Sequence, residues 1–383
     1  MVTGSIAMPD PKAFVVFRAG DPAPRFHAAS TSNPRYAFDT TAGRYIVMCF
    51  FGSARDEEGA ATLRAVEANR QLFDDEKASF FGVSVDPADR EQGRAKASLP
   101  GIRFFWDFDG AVSRAFGAVP IDVAPGGRVT IRRFWLVLDP TLRVMRAFPF
   151  EGSVSHQAEV FAYVAALPPV DQHAGLTLQA PILFLPNVFE PEFCQKLIAL
   201  HEENGGEQSG FMREVDGKTV RAADPFHKQR KDYIIEDQEI VGTTQARIKR
   251  RIVPEIAKVH QFHATRMERF IVGCYAAEDG GHFRAHRDNT TKGTAHRRFA
   301  VSINLNSEFE GGEISFPEYG SRGFKPPPGG AVVFSCSLLH AVAQVTRGRR
   351  YAFLPFLYDD AAAQVRAQNN QYLDEGIGKY TAT

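Results

Sequence analysis

The amino-terminal half of the chain sets short apolar runs between amphipathic stretches. Tyr45-Ile46-Val47-Met48-Cys49-Phe50-Phe51 is apolar at every position, the pattern of a strand buried on both faces. From Ala60 to Phe73 the apolar residues Leu63, Val66 and Leu72 fall near one helical face, and Ser79 to Val85 reads as a second strand ending at Asp86-Pro87. Phe134 to Leu138 gives another strand, stopped by Asp139-Pro140, and His156 to Leu167 gives a closing helix. Strands alternating with helices predict an α/β domain over residues 14–167. Pro168-Pro169 and Gly175 break the last helix, so residues 168–180 read as a linker and 181–383 as a second domain.

The pattern changes beyond the linker. Ala180 to Phe189 predicts a strand and turn, and Glu190 to Asn204 an amphipathic helix with Cys194, Leu197 and Ile198 toward a core. Gln245 to His260 is a second helical segment, whose Arg247, Lys249, Arg250 and Arg251 form a solvated basic face. Short strand-like runs follow at Arg269 to Tyr275, Phe299 to Leu305, Ile314 to Phe316 and Ala331 to Leu339. Glycine- and proline-rich turns separate them, including Glu310-Gly311-Gly312-Glu313 and Pro326 to Gly330.

Composition narrows the classes. With 383 residues, 44% hydrophobic and 23% charged, the chain has material for two cores. Lys plus Arg equals Asp plus Glu at 45 each, so no overall field draws nucleic acid or an acidic membrane surface, and neither partner is expected. Cys49, Cys194, Cys274 and Cys336 are widely spaced, which argues against a disulfide scaffold or structural zinc and suits a reducing compartment. Met1 to Pro11 has no leader pattern and no apolar run is long enough to span a bilayer, so a cytoplasmic location is expected.

The candidate chemistry centres on Gly281 to Asn289. In an extended segment His286 and Asp288 share a face and direct an imidazole and a carboxylate at one ion. His340 stands at the end of the apolar run Ala331 to Leu339, read as a strand that delivers it. Two histidines and a carboxylate on one triangular face leave three octahedral positions open, the arrangement of non-haem Fe(II) oxygenases. Arg350 follows a turn expected at Gly348, on a strand expected beside that of His340. Its planar fork suits the far carboxylate of a diacid such as 2-oxoglutarate. His282 invites an H-x-x-x-H reading with His286, but Gly280-Gly281 disfavours a helix there.

Tyr275, His286-x-Asp288, Glu310 to Glu313, His340 and Arg350 together resemble the prolyl 4-hydroxylase-like branch of the Fe(II)/2-oxoglutarate dioxygenases over roughly residues 181–358. The resemblance implies a double-stranded β-helix, or jelly roll, with flanking helices. It implies iron on His286, Asp288 and His340, the distal cosubstrate carboxylate on Arg350, and assistance from the Tyr275 hydroxyl. It further implies O2 as oxidant, ascorbate as a stimulant, and hydroxylation of an unactivated C–H bond in a prolyl residue, amino acid or small metabolite. Arg298 and Arg349 read as salt-bridge residues. In that family a loop such as Gly205 to Tyr233 covers the site; a solvated charged loop is the other reading here.

Gly20 to Phe26, Phe50-Phe51-Gly52, Gly82 to Asp86 and Arg133 to Asp139 resemble the peroxiredoxin branch of the thioredoxin fold. The peroxidatic cysteine that family requires is missing, and Gly59 stands near its place. The domain is therefore read as catalytically silent, with Cys49 a buried hydrophobe and Arg133 an ion-pair residue; homodimerisation, holding a substrate carrier and stabilising its neighbour are roles it is free to take. Two other classes stay open at this point: an iron-binding sensor or scaffold without turnover, and a thiol peroxidase.

Overall fold

The computed structural model describes residues 14–122, 130–150 and 155–381, so the Met1 to Pro11 reading lies outside the described residues. Contacts divide the chain into a unit ending at Gln179 that also takes in Pro317–Gly320, and a unit of Ala180–Phe316 with Ser321–Thr383.

The amino-terminal unit is one mixed sheet flanked by helices. Its strands are β1 (His27–Ser30), β2 (Tyr36–Ala37), β3 (Tyr45–Gly52), β4 (Ala78–Ser84), β5 (Ile102–Trp106), β6 (Phe134–Leu138) and β7 (Val144–Pro149), in the spatial order β2-β1-β5-β4-β3-β6-β7. Its helices are α1 (Glu57–Ala68), α2 (Pro87–Glu91), α3 (Ala111–Ala115) and α4 (Ser155–Ala165). The central pairs β3–β4 and β4–β5 are parallel while β6 and β7 run antiparallel, a thioredoxin-like arrangement. β3 and β4 are buried along their whole length, as an apolar run without alternation requires. Asp56 caps α1 by accepting from Gly59 N, and the Ala60 to Phe73 expectation resolves into α1 and a 3-10 turn at Arg70–Leu72.

The carboxy-terminal unit opens with β8 (Leu183–Leu185), α5 (Pro191–Asn204), β9 (Glu207–Gln208), the hairpin β10 (Phe211–Val215) and β11 (Lys218–Ala222), β12 (Lys228–Gln229) and β13 (Lys231–Ile234). Then come α6 (Gln238–Arg251), α7 (Val253–His260), β14 (Arg266–Glu268), β15 (Ile271–Ala276), β16 (His282–His286), β17 (Phe299–Asn304), β18 (Phe309–Gly311), β19 (Ile314–Ser315) and β20 (Gly323–Phe324). The chain ends through β21 (Ala331–Ser335), β22 (His340–Val342), β23 (Val345–Phe353), β24 (Phe356–Tyr358) and α8 (Asp360–Gln368). A large sheet runs β14-β24-β17-β23-β15-β13-β9, with β21 paired to β17 and β8; a smaller one runs β12-β16-β22-β19-β20. These antiparallel sheets form the jelly roll.

Alternation on the large sheet decides what its two faces carry. Val272, Cys274, Val301, Ile303, Val333, Tyr351 and Phe353 face one way and pack in a core with Leu197, Ile240, Ile248 and Ile256 from the helices. Their strand neighbours Tyr275, Ser302, Asn304 and Arg350 therefore face the other way, and all four are buried. A row of buried polar side chains on the inner face of a sheet calls for partners.

Three local expectations are corrected. The run Ala331 to Leu339 is not one strand: it stops at Ser335, turns through Leu338 N bonding Ser335 O at 3.0 Å, and His340 opens β22 in the other sheet. Gly348 is no turn either. It lies inside β23 with φ +72°, where a Cβ would meet Glu308 O at 2.4 Å, and β23 pairs with β15, β17 and β18 rather than with the strand of His340. Gly205 to Tyr233 is not a solvated loop, because β9 to β13 fold it into sheets and bury Lys228 and Arg230.

Candidate functional site

β16 and β22 are antiparallel neighbours with His286 directly opposite His340, after a bulge between Phe283 and His286. The extra residue puts Phe283 and His286 on one face, and their rings stack at 3.5 Å. His286 ends its strand, so Asp288 reaches the site from the following turn rather than from a shared extended face. That turn is pinned by Asp288 N donating to Cys336 O at 3.0 Å, Asn289 Nδ2 to Ser337 Oγ at 2.8 Å, and Arg287 to Ser337 O.

The three ligand atoms lie within 4.8 Å of one another. Asp288 Oδ1 is 3.6 Å from His286 Nε2 and Oδ2 is 3.4 Å from His340 Nε2. Ligand bonds of ~2.1 Å at right angles place neighbouring donors ~3 Å apart, so small movements close this set on an ion. Both rings are fixed from behind: His286 Nδ1 pairs with Arg284 O at 2.8 Å and His340 Nδ1 with Leu338 O at 3.1 Å. A carbonyl takes only a donor, so each Nδ1 carries the proton and each Nε2 presents a lone pair to the common point. Burial and the adjoining His340 pull His286 down to about 4, favouring the neutral imidazole. Burial alone would raise Asp288, but His340 and His286 hold it below the usual carboxylate range. Two imidazole nitrogens and a carboxylate converging on one point fit a divalent metal.

Tyr275 and Arg350 face each other across β15 and β23, and the Arg350 Cζ lies 5.3 Å from the Tyr275 ring centroid. Arg350 is 1% exposed. Its Nε donates to Asn304 Oδ1 at 3.0 Å and its Nη2 to Ser302 Oγ at 2.8 Å, whereas its Nη1 is buried with no hydrogen-bond partner. Among the described residues no carboxylate forms an ion pair with it, Glu313 acting only from a distance, and burial pulls the guanidinium down to about 10. A buried cation with one donor unmatched is built for an anion that arrives from outside the chain. Gly312, at φ +71°, lets the Glu310 to Glu313 turn pass close by: a Cβ there would lie 3.1 Å from Arg350 Cδ.

Sequence reasoning missed Ser302, Asn304 and Arg230. The first two were visible as polar residues on alternate positions of Phe299-Ala300-Val301-Ser302-Ile303-Asn304, all on one face. Arg230 carried no such signal, lying between two very short strands. His282, set aside as a ligand, lies on the same strand as His286 but bonds Gly280 O and Phe226 O; elsewhere His201 bonds Lys231 O and His296 is buried against Glu268. Arg349 pairs with Glu278 and Arg298 donates to Ala295 O, while Arg247 and Arg251 of the basic helix pair with Glu190.

In the other unit, Gly59 lies in the first turn of α1, where a Cβ would sit 2.0 Å from Ser53 O. Arg133 is engaged by Asp56 and Glu58, with Nη1 2.9 Å from each carboxylate. Cys49 is fully buried, which pushes its thiol well above the ordinary range, and all four cysteines are free and buried. A buried thiol among apolar side chains gives no nucleophile for a peroxide.

Residues 270–358 match the 2OG-Fe(II) oxygenase superfamily and residues 19–147 match the AhpC/TSA family. The two matches fall in different units of the chain, and each covers less than half of it. A PKHD-type hydroxylase of Cupriavidus metallidurans is 39% identical over 85 residues, which is 20% of this chain and 37% of that relative. The chain therefore spans just over a third of that curated relative's length. Among solved structures, a Pseudomonas putida prolyl-4-hydroxylase is 17% identical with a TM-score of 0.35, covering 51% of this chain and 97% of its own. The peroxidoxin BcpB of Mycobacterium tuberculosis is 19% identical with a TM-score of 0.33, covering 40% of this chain and 99% of its own. No helix among the described residues is long and apolar enough to cross a membrane.

Proposed function

We propose that the carboxy-terminal unit is an Fe(II)- and 2-oxoglutarate-dependent hydroxylase acting on an unactivated C–H bond of a peptide or small molecule. The observation that carries this reading is the unmatched, buried Nη1 of Arg350 within the same jelly roll as the His286, Asp288 and His340 donor set. Retention of the whole donor set together with such a cation counts against an iron-binding sensor or scaffold without turnover.

His286, Asp288 and His340 would hold iron on one triangular face, leaving the opposite face open. When bound, iron with 2-oxoglutarate and O2 supplies the oxidising chemistry, 2-oxoglutarate leaving as succinate and CO2. The protein's part is positional. Arg350 would grip the distal carboxylate and so fix which way the keto acid end points, Ser302 and Asn304 hold the guanidinium in register, and Tyr275 would add its hydroxyl to the same carboxylate. Burial of this pocket excludes water. Residues 14–167 stand in this reading as a non-catalytic domain, with residues 168–180 as the linker.

The test is anaerobic addition of Fe(II) and 2-oxoglutarate to the purified chain, followed by visible absorption and succinate measurement after O2 is admitted. A weak charge-transfer band in the wild type, absent in His340→Ala and bleached with succinate formed, is the expected result. Folded, iron-loaded protein that shows no band and forms no succinate would end the oxygenase reading. Ascorbate dependence is read in the same assay.

A further inference from the structure

The Tyr275 hydroxyl is not left to orient itself. Arg230, between β12 and β13, is 5% exposed, and each nitrogen of its guanidinium is committed. Nε donates to Asp232 Oδ1 at 2.6 Å, and Nη2 donates to Asp232 Oδ2 at 2.8 Å and to Ser209 Oγ at 3.2 Å. Nη1 donates to the Tyr275 hydroxyl at 3.1 Å. A guanidinium has no acceptor, so the phenol oxygen must be the acceptor in that contact and its own proton has to point elsewhere. Among the described residues no second hydrogen bond is made by Tyr275, which is itself 1% exposed.

A buried O–H donor without an acceptor thus sits on the residue directly opposite Arg350, whose Nη1 is in the same condition. A carboxylate has two oxygens and accepts at both, so one carboxylate can satisfy the two orphan donors. Asp232 pairs with Arg230 and also with Arg269, and the donors of Arg230 are all engaged within the protein, so this guanidinium is not a second anion grip.

We propose that Arg230 is a positioning residue of the cosubstrate pocket: by donating to the Tyr275 oxygen, it turns the phenol proton toward the carboxylate held by Arg350. The proposal rests on the oxygenase reading. The cation also polarises the phenol and strengthens it as a donor. Arg230 would then act on 2-oxoglutarate through Tyr275, beside the charge it also exerts on Arg350, which a lysine in its place retains.

The experiment is calorimetric titration of 2-oxoglutarate into the Mn(II)-loaded full chain, comparing wild type, Tyr275→Phe, Arg230→Lys and the double variant, with Arg350→Met as a control. Lysine keeps a charge for Asp232 but cannot span Asp232 and Tyr275 together. A hydrogen bond to a charged group implies a loss of roughly 10-fold or more for Tyr275→Phe. Arg230→Lys is expected to weaken binding by several-fold when Tyr275 is present and to add nothing to Tyr275→Phe, with Mn(II) affinity equal in all. Should Arg230→Lys not fold, Arg230→Met alone, which leaves Asp232 to its second partner Arg269, makes the same comparison. Equal losses in both backgrounds, or no loss in either, would overturn the proposal while leaving the oxygenase reading intact if Arg350→Met still weakens binding. Failure of the wild type to bind 2-oxoglutarate would overturn both.

Discussion

Replacing Arg350 by Met separates binding from stability, because the same side chain enters both with opposite weights. In the free protein it is a buried cation with one unmatched donor and, among the described residues, no ion-pair partner beyond the distant Glu313, so its removal relieves a desolvation cost. Against that, Asn304 Oδ1 and Ser302 Oγ each lose the donor they now accept from, at about 1–3 kcal/mol for a buried group left unsatisfied. Asn304 keeps its bond to Pro326 O at 2.9 Å, and methionine fills most of the volume. These effects offset, and the net change in unfolding free energy should stay within about 2 kcal/mol of zero. Binding has no such compensation. Loss of one partner of a buried charge pair costs about 3–5 kcal/mol, which is roughly 10²- to nearly 10⁴-fold in the dissociation constant for 2-oxoglutarate. Urea unfolding of the free protein gives the first quantity, and anaerobic titration of the metal-loaded protein gives the second. Arg350→Met binding 2-oxoglutarate within about threefold of wild type would refute the assignment. A collapse in stability beyond ~4 kcal/mol would instead show that Arg350 is a structural residue.

Gly312→Ala forces a Cβ to 3.0 Å from Val345 Cγ2 and 3.1 Å from Arg350 Cδ at φ +71°, so it should displace the guanidinium and weaken 2-oxoglutarate several-fold with metal affinity unchanged; equal affinities for both ligands would exclude that contact as important. Gly59→Cys should not create a peroxidase, because its Cβ would sit 2.0 Å from Ser53 O beside the Asp56, Glu58 and Arg133 cluster; the expected outcome is a loss of more than about 2 kcal/mol in stability and no peroxide consumption in a coupled assay. Burial alone would raise Asp75, yet hydrogen bonds from Arg103 and Ser79 outweigh it and lower the carboxyl from 3.8 to about 2. A depressed folded value means stability present above the unfolded value and lost as pH falls from 3.8 to about 2, worth about 1–2 kcal/mol after allowing for partial exposure. Asp75→Asn should therefore be less stable at pH 7, with the gap narrowing through this window and closing only below about pH 2, and a difference constant with pH would contradict the assignment.

The amino acids alone determined more of this protein than local pattern usually allows. The unbroken apolar run at Tyr45 to Phe51 defines a strand buried on both faces wherever it occurs, since no polar position exists to turn outward. His286, Asp288 and His340 were legible because metal binding demands particular atoms, and few residue types have them. The absent thiol at Gly59 was equally plain, since no tertiary contact can supply a missing sulfur.

Tertiary structure decided what those residues meet. That His340 opens a strand of the smaller sheet follows from the turn at Cys336 to Leu339, whose backbone bonds to the Asp288 turn distant in sequence. That Arg350 faces Tyr275 is a matter of strand register, which depends on pairings between β15 and β23 that no local periodicity encodes. The role of Arg230 was hidden for the same reason: a charged residue in a charged stretch reads as solvated until the sheet buries it and leaves a phenol oxygen and a carboxylate as its partners. Residue types name the chemistry a chain can perform, whereas register and burial decide which groups face one another without water between them.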